Sequence, residues 1–239
     1  MALSVEDLKI KIFADGADLN GMLEMYSKPY IKGLTTNPTL MRKAGISDYK
    51  EFAKEVLSEI KEKSISFEVF SDNFDEMCGQ ALEIASWGEN VYVKIPVTNT
   101  EGVSTSSVIE YLTQQNVKIN VTALMTVEQV RSVAKVLRPD VPSYVSVFAG
   151  RIADTGRSPV PIMEAALKIL QDVGKAELIW ASPRELLNII EADSIGCDII
   201  TATTDILNKL PLLDMNLDQY SLETVKMFRM DSVKAGYQL

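Results

Sequence analysis

Eight short runs of β-branched and aromatic residues recur along this chain. Each is followed by a longer stretch with helical spacing. The runs are KIFAD near 11–15, IKGLTT near 31–36, SISFEVF at 64–70 and VYVKIPV at 91–97. They continue with KINVTAL near 118–124, YVSVFAG near 144–150, AELIWAS near 176–182 and DIITAT near 198–203. Between them, stretches such as DYKEFAKEVLSEIKEK, NFDEMCGQALEIASWG and PVPIMEAALKILQDVG place apolar residues at i, i+3 and i+4. Ser47-Asp48, Asp72-Asn73 and Thr126 carry the short polar side chains that cap helix N-termini. Alternating strands and helices imply a parallel α/β sheet, and eight units suggest a closed (β/α)8 barrel, the TIM-barrel architecture. The rival is an open doubly wound sheet. That fold calls for a glycine-rich first turn, and ADGAD after the first run is not one.

The chain has 239 residues, of which 46% are apolar. A (β/α)8 barrel needs roughly 250 residues, so a single domain over 1–239 is expected. A tail at about 217–239 contains SLETVKMFRMDSVKAG and predicts an extra C-terminal helix, either capping the barrel or docking on a neighbouring subunit. Net charge is −9, and Lys and Arg form no cluster able to follow a phosphate backbone, so nucleic acid is not an expected partner. MALSVEDLKI has no basic start followed by an apolar run, and nothing later reaches transmembrane length. The expectation is a cytoplasmic protein with no membrane partner. Cys78 and Cys197 lack metal or redox spacing and read as two buried thiols. Histidine is absent, which removes Ser-His and Cys-His nucleophiles and the commonest transition-metal ligand. No metal site is expected.

In a parallel barrel both faces of each strand are covered, so a charged residue inside a strand is costly unless paired or functional. Several strands break this rule near their C-terminal ends, where barrel active sites lie. Lys94 sits within Val91-Tyr92-Val93-Lys94-Ile95-Pro96-Val97. It is either a mouth lysine paired with an acid or a desolvated amine able to attack a carbonyl and form a Schiff base, with no metal or cofactor required. Glu68 lies between apolar neighbours in the third run, and Asp15 ends the first. Asp15 can cap the next helix; with Lys94 and Glu68 it can instead supply proton-transfer groups. Asn120 and Thr122 share one strand face and, beside a carboxylate and a lysine, can hold a water. Ser146 and Arg151 frame the sixth run, and Ser182 and Arg184 follow the seventh, with Pro183 suited to the first turn of a helix. The arginines are either surface residues with carboxylate partners or, with a helix N-terminus and a hydroxyl, a dianion clamp.

These residues resemble the transaldolase family over nearly the whole chain. The carriers are Ala14-Asp15, Gly33-Leu34-Thr35-Thr36-Asn37-Pro38-Thr39, Phe67-Glu68-Val69, Val93-Lys94-Ile95-Pro96, Asn120-Val121-Thr122, Ser146-Val147-Phe148-Ala149-Gly150-Arg151 and Ala181-Ser182-Pro183-Arg184. The resemblance implies Lys94 as the Schiff-base lysine, Asp15 as acid and base, and Glu68 with Thr122 holding the catalytic water. Asn37, Asn120 and Ser146 resemble the groups that bind the dihydroxyacetone unit; Arg151, Ser182 and Arg184 resemble the phosphate clamp. The implied reaction carries dihydroxyacetone from a ketose phosphate such as fructose 6-phosphate to an aldose phosphate such as erythrose 4-phosphate, without a cofactor. Small members of the family form rings of five or ten subunits, so a homo-oligomer is implied as well. The length matches the subfamily that includes fructose-6-phosphate aldolase, yet that aldolase carries Gln and Tyr where this chain has Glu68 and Phe148. Pro183 stands where many relatives have Phe. The alternatives are a class I aldolase releasing free dihydroxyacetone, a transaldolase acting on a related anionic sugar such as a sulfonate, and a non-catalytic sugar-phosphate-binding barrel.

Overall fold

The strand pattern closes on itself. In the computed structural model, which describes residues 3–238, eight parallel strands pair in chain order and the last returns to the first. They are β1 Lys11–Asp15, β2 Ile31–Thr35, β3 Ser64–Glu68, β4 Val91–Pro96, β5 Ile119–Leu124, β6 Ser143–Val147, β7 Ala176–Trp180 and β8 Ile199–Thr203. The helices are α1 Leu19–Ser27, α2 Pro38–Lys43, α3 Tyr49–Glu59, α4 Phe74–Ala85, α5 Ser106–Gln114, α6 Val127–Ala134, α7 Ala149–Asp154, α8 Val160–Leu170, α9 Leu187–Ser194, α10 Thr204–Leu207 and α11 Leu217–Ala235. The chain is therefore a (β/α)8 TIM barrel with an extra C-terminal helix. The cap residues act as their chemistry dictates. Asp48 accepts from Glu51 N, Asn73 from Asp75 N and Glu76 N, and Thr126 closes a capping box with Gln129.

Alternate residues on each strand face opposite ways, and the two faces differ in chemistry. Outward residues such as Ile12, Leu34, Ile65, Val93, Val121, Val145, Leu178 and Ile200 join the main core beneath the helices. Inside the barrel, Phe13, Tyr92, Tyr144, Ile179 and Ile199 form a separate apolar cluster. There the Tyr92 and Tyr144 rings stack at 4.0 Å and Phe13 meets Tyr144 edge-on at 5.7 Å. A Cβ on Gly33 would lie 2.6 Å from the Phe13 ring, so glycine at this position lets Phe13 cross the interior. The cluster plugs the barrel below its C-terminal end, so a ligand enters only from the top.

Four expectations change. β6 ends at Val147, three residues short of the expected run. β5 carries one extra residue between Val121 and Leu124, with Ala123 at φ 65°, and Phe148 N then bonds Leu124 O to end the ladder. Pro183 does not begin a helix. Ser182 has φ 59°, and the following turn is held by Asn188 Oδ1, which accepts from Arg184 N and Glu185 N, so α9 starts only at Leu187. The tail does not cap the barrel: α11 has no buried residue, and Leu217, Phe228 and Val233 are well exposed. Of the two thiols, Cys197 is buried and pushed up to about 12 by that burial, whereas Cys78 is only half-buried. Among the described residues no helix is long and apolar enough to cross a membrane.

Candidate active site

Strand register decides which polar side chains meet. Glu68 pairs with Lys94, Lys94 with Asn120, Pro96 with Thr122, and Asp15 with Thr35 on one side and Thr203 on the other. All eleven residues singled out from the sequence line one cavity of about 580 Å³ at the C-terminal end of the barrel. Lys94 is 6% exposed. Its Nζ donates to Thr36 O at 2.9 Å and lies 3.3 Å from Glu68 Oε2. The carbonyl is itself anchored, because Thr36 N and Oγ1 both donate to Ser66 O. The amine thus has a fixed direction, and its nearest carboxylate is placed to take its proton. Asp15 does not cap α1; Asp18 does, accepting from Gly21 N. Asp15 Oδ1 instead accepts from Thr35 Oγ1 at 2.8 Å, and Thr35 Oγ1 lies 2.6 Å from Thr201 Oγ1. A hydroxyl has one proton, so when Thr35 donates to Asp15, Thr201 must donate to Thr35. Burial pushes the Asp15 carboxyl up, against the pull of the Lys94 charge and the Thr35 hydrogen bond, with the Glu68 charge adding to the rise. A carboxyl raised in this way can both accept and return a proton.

A polar chain crosses the floor of the cavity. Ser146 Oγ donates to Asn120 Oδ1 at 2.7 Å, and Asn120 Nδ2 donates to Ser66 Oγ at 3.1 Å. Thr122 Oγ1 is buried beside this chain, and no protein group bonds it. It follows Asn120 on the same strand face and immediately precedes the left-handed Ala123, so the β5 bulge aims it. Asn37 has two tasks to reconcile: its Oδ1 caps α2 by accepting from Leu40 N at 3.0 Å, which leaves the amide nitrogen for a ligand.

The cationic wall comes from two loops in direct contact. An added Cβ on Gly150 would lie 1.5 Å from Ser182 O, so only glycine lets α7 pack on the loop after β7. That contact brings Arg151 and Arg184 to one side of the cavity. The two are not equivalent. Arg184 donates through Nε to Asp154 Oδ1 at 3.0 Å and through Nη2 to Asp154 Oδ2. The carboxylate-partner reading thus holds for Arg184, whose remaining nitrogen stays available. Arg151 has no ion pair among the described residues, and its guanidinium sits 5.7 Å from the Phe148 ring centroid.

Sequence reasoning gave no site role to Thr35, Thr36, Ser66, Thr201 or Asp154, although Thr35 and Thr36 lie in a segment that carries the family resemblance. The first three, with Thr201, are buried strand-end polar residues. Strand phase was the available signal: Ser66 is two before Glu68, Thr35 pairs with Asp15, and Thr201 lies two before Thr203. Asp154 carried no such signal.

The fold and its cavity define a barrel that gathers one buried amine, the carboxylates of Asp15, Glu68 and Asp205 and two arginines at its mouth. A sequence model of the family described as Transaldolase/Fructose-6-phosphate aldolase matches residues 12–238. A protein of Caldicellulosiruptor saccharolyticus named probable transaldolase is 35% identical over 216 residues, covering 88% of this chain and 95% of that protein. A probable transaldolase of Methanococcus maripaludis is 33% identical over 88% of this chain and 95% of its own length. A probable transaldolase of a Sulfurihydrogenibium species is 32% identical over 88% and 94%. The chain belongs to the transaldolase/fructose-6-phosphate aldolase family of enzymes.

Proposed function

We propose that this chain is a transaldolase that moves a dihydroxyacetone unit from a ketose phosphate of the fructose 6-phosphate type to an aldose phosphate. The observation that carries the reading is Lys94 Nζ, buried 3.3 Å from Glu68 in the same cavity as Asp15 and the two arginines. Glu68 takes a proton from the Lys94 ammonium, and the freed amine attacks the ketone carbon C2. The carbinolamine loses its hydroxyl as water when that proton is returned, leaving an iminium on Lys94. Asp15 then takes the proton of the C4 hydroxyl as the C3–C4 bond breaks. The electron pair enters the iminium to give an enamine, and the aldehyde leaves. The same steps in reverse join the enamine to an acceptor aldehyde. Thr122 and Glu68 hold the water, Asn37, Asn120 and Ser146 bind the dihydroxyacetone hydroxyls, and Arg151, Ser182 and Arg184 hold the phosphate. No cofactor takes part in these steps. A reducing cytoplasm suits the two free thiols.

Borohydride reduction with fructose 6-phosphate, followed by peptide mass mapping, tests the covalent step. A dihydroxyacetone adduct is expected on Lys94, and none in Lys94→Arg; an adduct on another lysine overturns the reading. Transfer is separated from release by measuring sedoheptulose 7-phosphate against free dihydroxyacetone, with and without erythrose 4-phosphate. Phe148 has no hydroxyl to relay a proton to the enamine carbon, so transfer is expected to dominate, and Phe148→Tyr is expected to shift products towards release. Rapid release without acceptor would make the enzyme an aldolase.

The chain is also proposed to self-associate through α11. The helix has 19 residues, buries none of them and exposes Leu217, Tyr220, Val225, Phe228, Met230 and Val233. An isolated helix of this length is marginal in water without a packed face. Sedimentation of the full chain against a truncation after Met215 is the test, with a fall in assembly size expected.

A further inference from the structure

The backbone that carries the carboxylate facing Lys94 is held from behind by a residue outside the cavity. β2 and β3 pair from Gly33 with Ser64 to Thr35 with Ser66, and Thr36 N bonds Ser66 O. The β2 chain then turns at Asn37 into α2. Glu68 lies two residues beyond the last pair, so its N–H and C=O on that side have no strand to meet. A phenol takes the place of the missing strand. Tyr49 Oη accepts from Glu68 N at 2.8 Å and donates to Glu68 O at 2.8 Å. On the opposite side, Val69 N bonds Lys94 O at 3.1 Å.

The hydroxyl cannot wander. Tyr49 is the first residue of α3, whose cap Asp48 fixes the start of the helix. Its ring meets Phe67, Phe70 and Trp87 at centroid distances of 6.3, 5.7 and 6.0 Å. Burial pushes the Tyr49 phenol up from its ordinary value, and the nearby Glu68 charge adds to that, so the group keeps the proton it donates.

We infer that Tyr49 is a positioning residue: its hydroxyl completes the end of β3 and thereby fixes the Glu68 carboxylate beside Lys94 Nζ. This rests on the Schiff-base reading above, in which Glu68 moves the proton that frees the amine. A small displacement of a reacting group lowers rates steeply, by roughly a hundredfold for about 1 Å. Tyr49→Phe keeps the ring and its packing but leaves both backbone groups of Glu68 unpaired.

The experiment measures borohydride trapping on Lys94 and the steady-state kinetics of four proteins: wild type, Tyr49→Phe, Glu68→Gln and the double variant. Trapping on wild-type Lys94 establishes the Schiff-base reading independently, so the variants then judge Tyr49 alone. Tyr49→Phe is expected to lower kcat and the rate of iminium formation roughly ten- to a hundredfold. KM should stay within about twofold, because the arginines stand on the other side of the barrel. In the Glu68→Gln background the same change is expected to have little further effect on kcat. Trp87→Phe serves as the stability control, since it thins the ring cage but keeps the hydroxyl; it should lower the unfolding temperature yet cost clearly less kcat than Tyr49→Phe. An unchanged kcat in folded Tyr49→Phe, or an equal loss with and without the Glu68 carboxylate, overturns the inference. If Tyr49→Phe does not fold, 4-aminophenylalanine at position 49 keeps the ring and a donor to Glu68 O but is a poorer acceptor for Glu68 N. The kcat should then fall several-fold with KM within about twofold, and a wild-type kcat overturns the inference equally.

Discussion

Gly150→Ala is the sharpest test of how the anion wall is built, because the structure sets the size of the effect. The new methyl carbon would stand 1.5 Å from Ser182 O, 2.7 Å from Ser182 C and 3.3 Å from Arg184 Nε. Ordinary contacts of a Cβ begin above about 3 Å, so the backbone at Ser182 must retreat by roughly 1.5 Å, or α7 must. The nearest atoms are backbone and cannot rotate away. The Gly150 N to Ala181 O bond at 3.4 Å goes with the displacement. Overpacking of this kind costs about 1–3 kcal/mol of stability. The functional cost falls on Arg151 and Arg184 together, because each sits within two residues of the clash. A misplacement above 1 Å implies roughly a hundredfold loss in kcat/KM for the phosphorylated ketose. Lys94, Glu68 and Asp15 belong to β4, β3 and β1 and should keep their positions. Borohydride trapping of unphosphorylated dihydroxyacetone on Lys94 is therefore expected to remain within a few-fold of wild type. The assay compares kcat/KM for fructose 6-phosphate with trapping of dihydroxyacetone, at a temperature where the variant is folded. Unaltered kcat/KM for the phosphosugar, or equal losses for both ligands, would show that the Gly150–Ser182 contact does not set the wall.

Three further outcomes follow from the same geometry. Arg151→Ala and Arg184→Ala should each raise KM for the phosphosugar, by about 1.5–3 kcal/mol of lost charged hydrogen bonding. Arg184→Ala also leaves Asp154 facing the anion, so adding Asp154→Asn should recover part of the loss; no recovery would show that the pair lies outside the anion's reach. Because burial makes Asp15 hold its proton more tightly in the folded chain than an exposed aspartate does, native stability falls as pH rises from the ordinary aspartate value of about 4 through the raised one. Asp15→Asn is then expected to gain in unfolding temperature relative to wild type as pH climbs from below about 4, while losing activity; a pH-independent difference contradicts this. Ala123 has φ 65°, a left-handed conformation that costs a residue with a Cβ about 1–2 kcal/mol. Calorimetry of Ala123→Gly should show unchanged or slightly raised stability, with activity reduced as the aim of Thr122 loosens; a clear loss of stability would mean that the methyl packs rather than strains.

Local chemistry was enough to read much of this protein. Strand alternation, helix spacing and the caps at Asp48, Asn73 and Thr126 are set within a few residues, and closure of eight such units follows from their number. A charge amid apolar strand residues is legible for the same reason, which is why Lys94, Glu68 and Asp15 could be singled out. What lay outside local reach depended on which atoms the closed barrel brings together. Thr35 and Thr201 are 166 residues apart yet share one hydrogen bond, and Thr36 and Lys94 are separated by 58 residues. Individually, buried threonines and serines look like ordinary strand residues; only register shows that they orient the amine and the carboxyl. The boundary of β6 and the loop holding Pro183 were misread because a one-residue bulge and a left-handed Ser182 are tertiary compromises that propensity opposes. Asp154 and Tyr49 were invisible as site residues because each acts through a neighbour distant in sequence, Arg184 and Glu68 respectively. The sequence by itself determined the elements, their order and the chemical groups at the strand ends. The tertiary structure decided their directions, because a side chain is aimed by the partner it bonds, and in a closed barrel that partner comes from another strand.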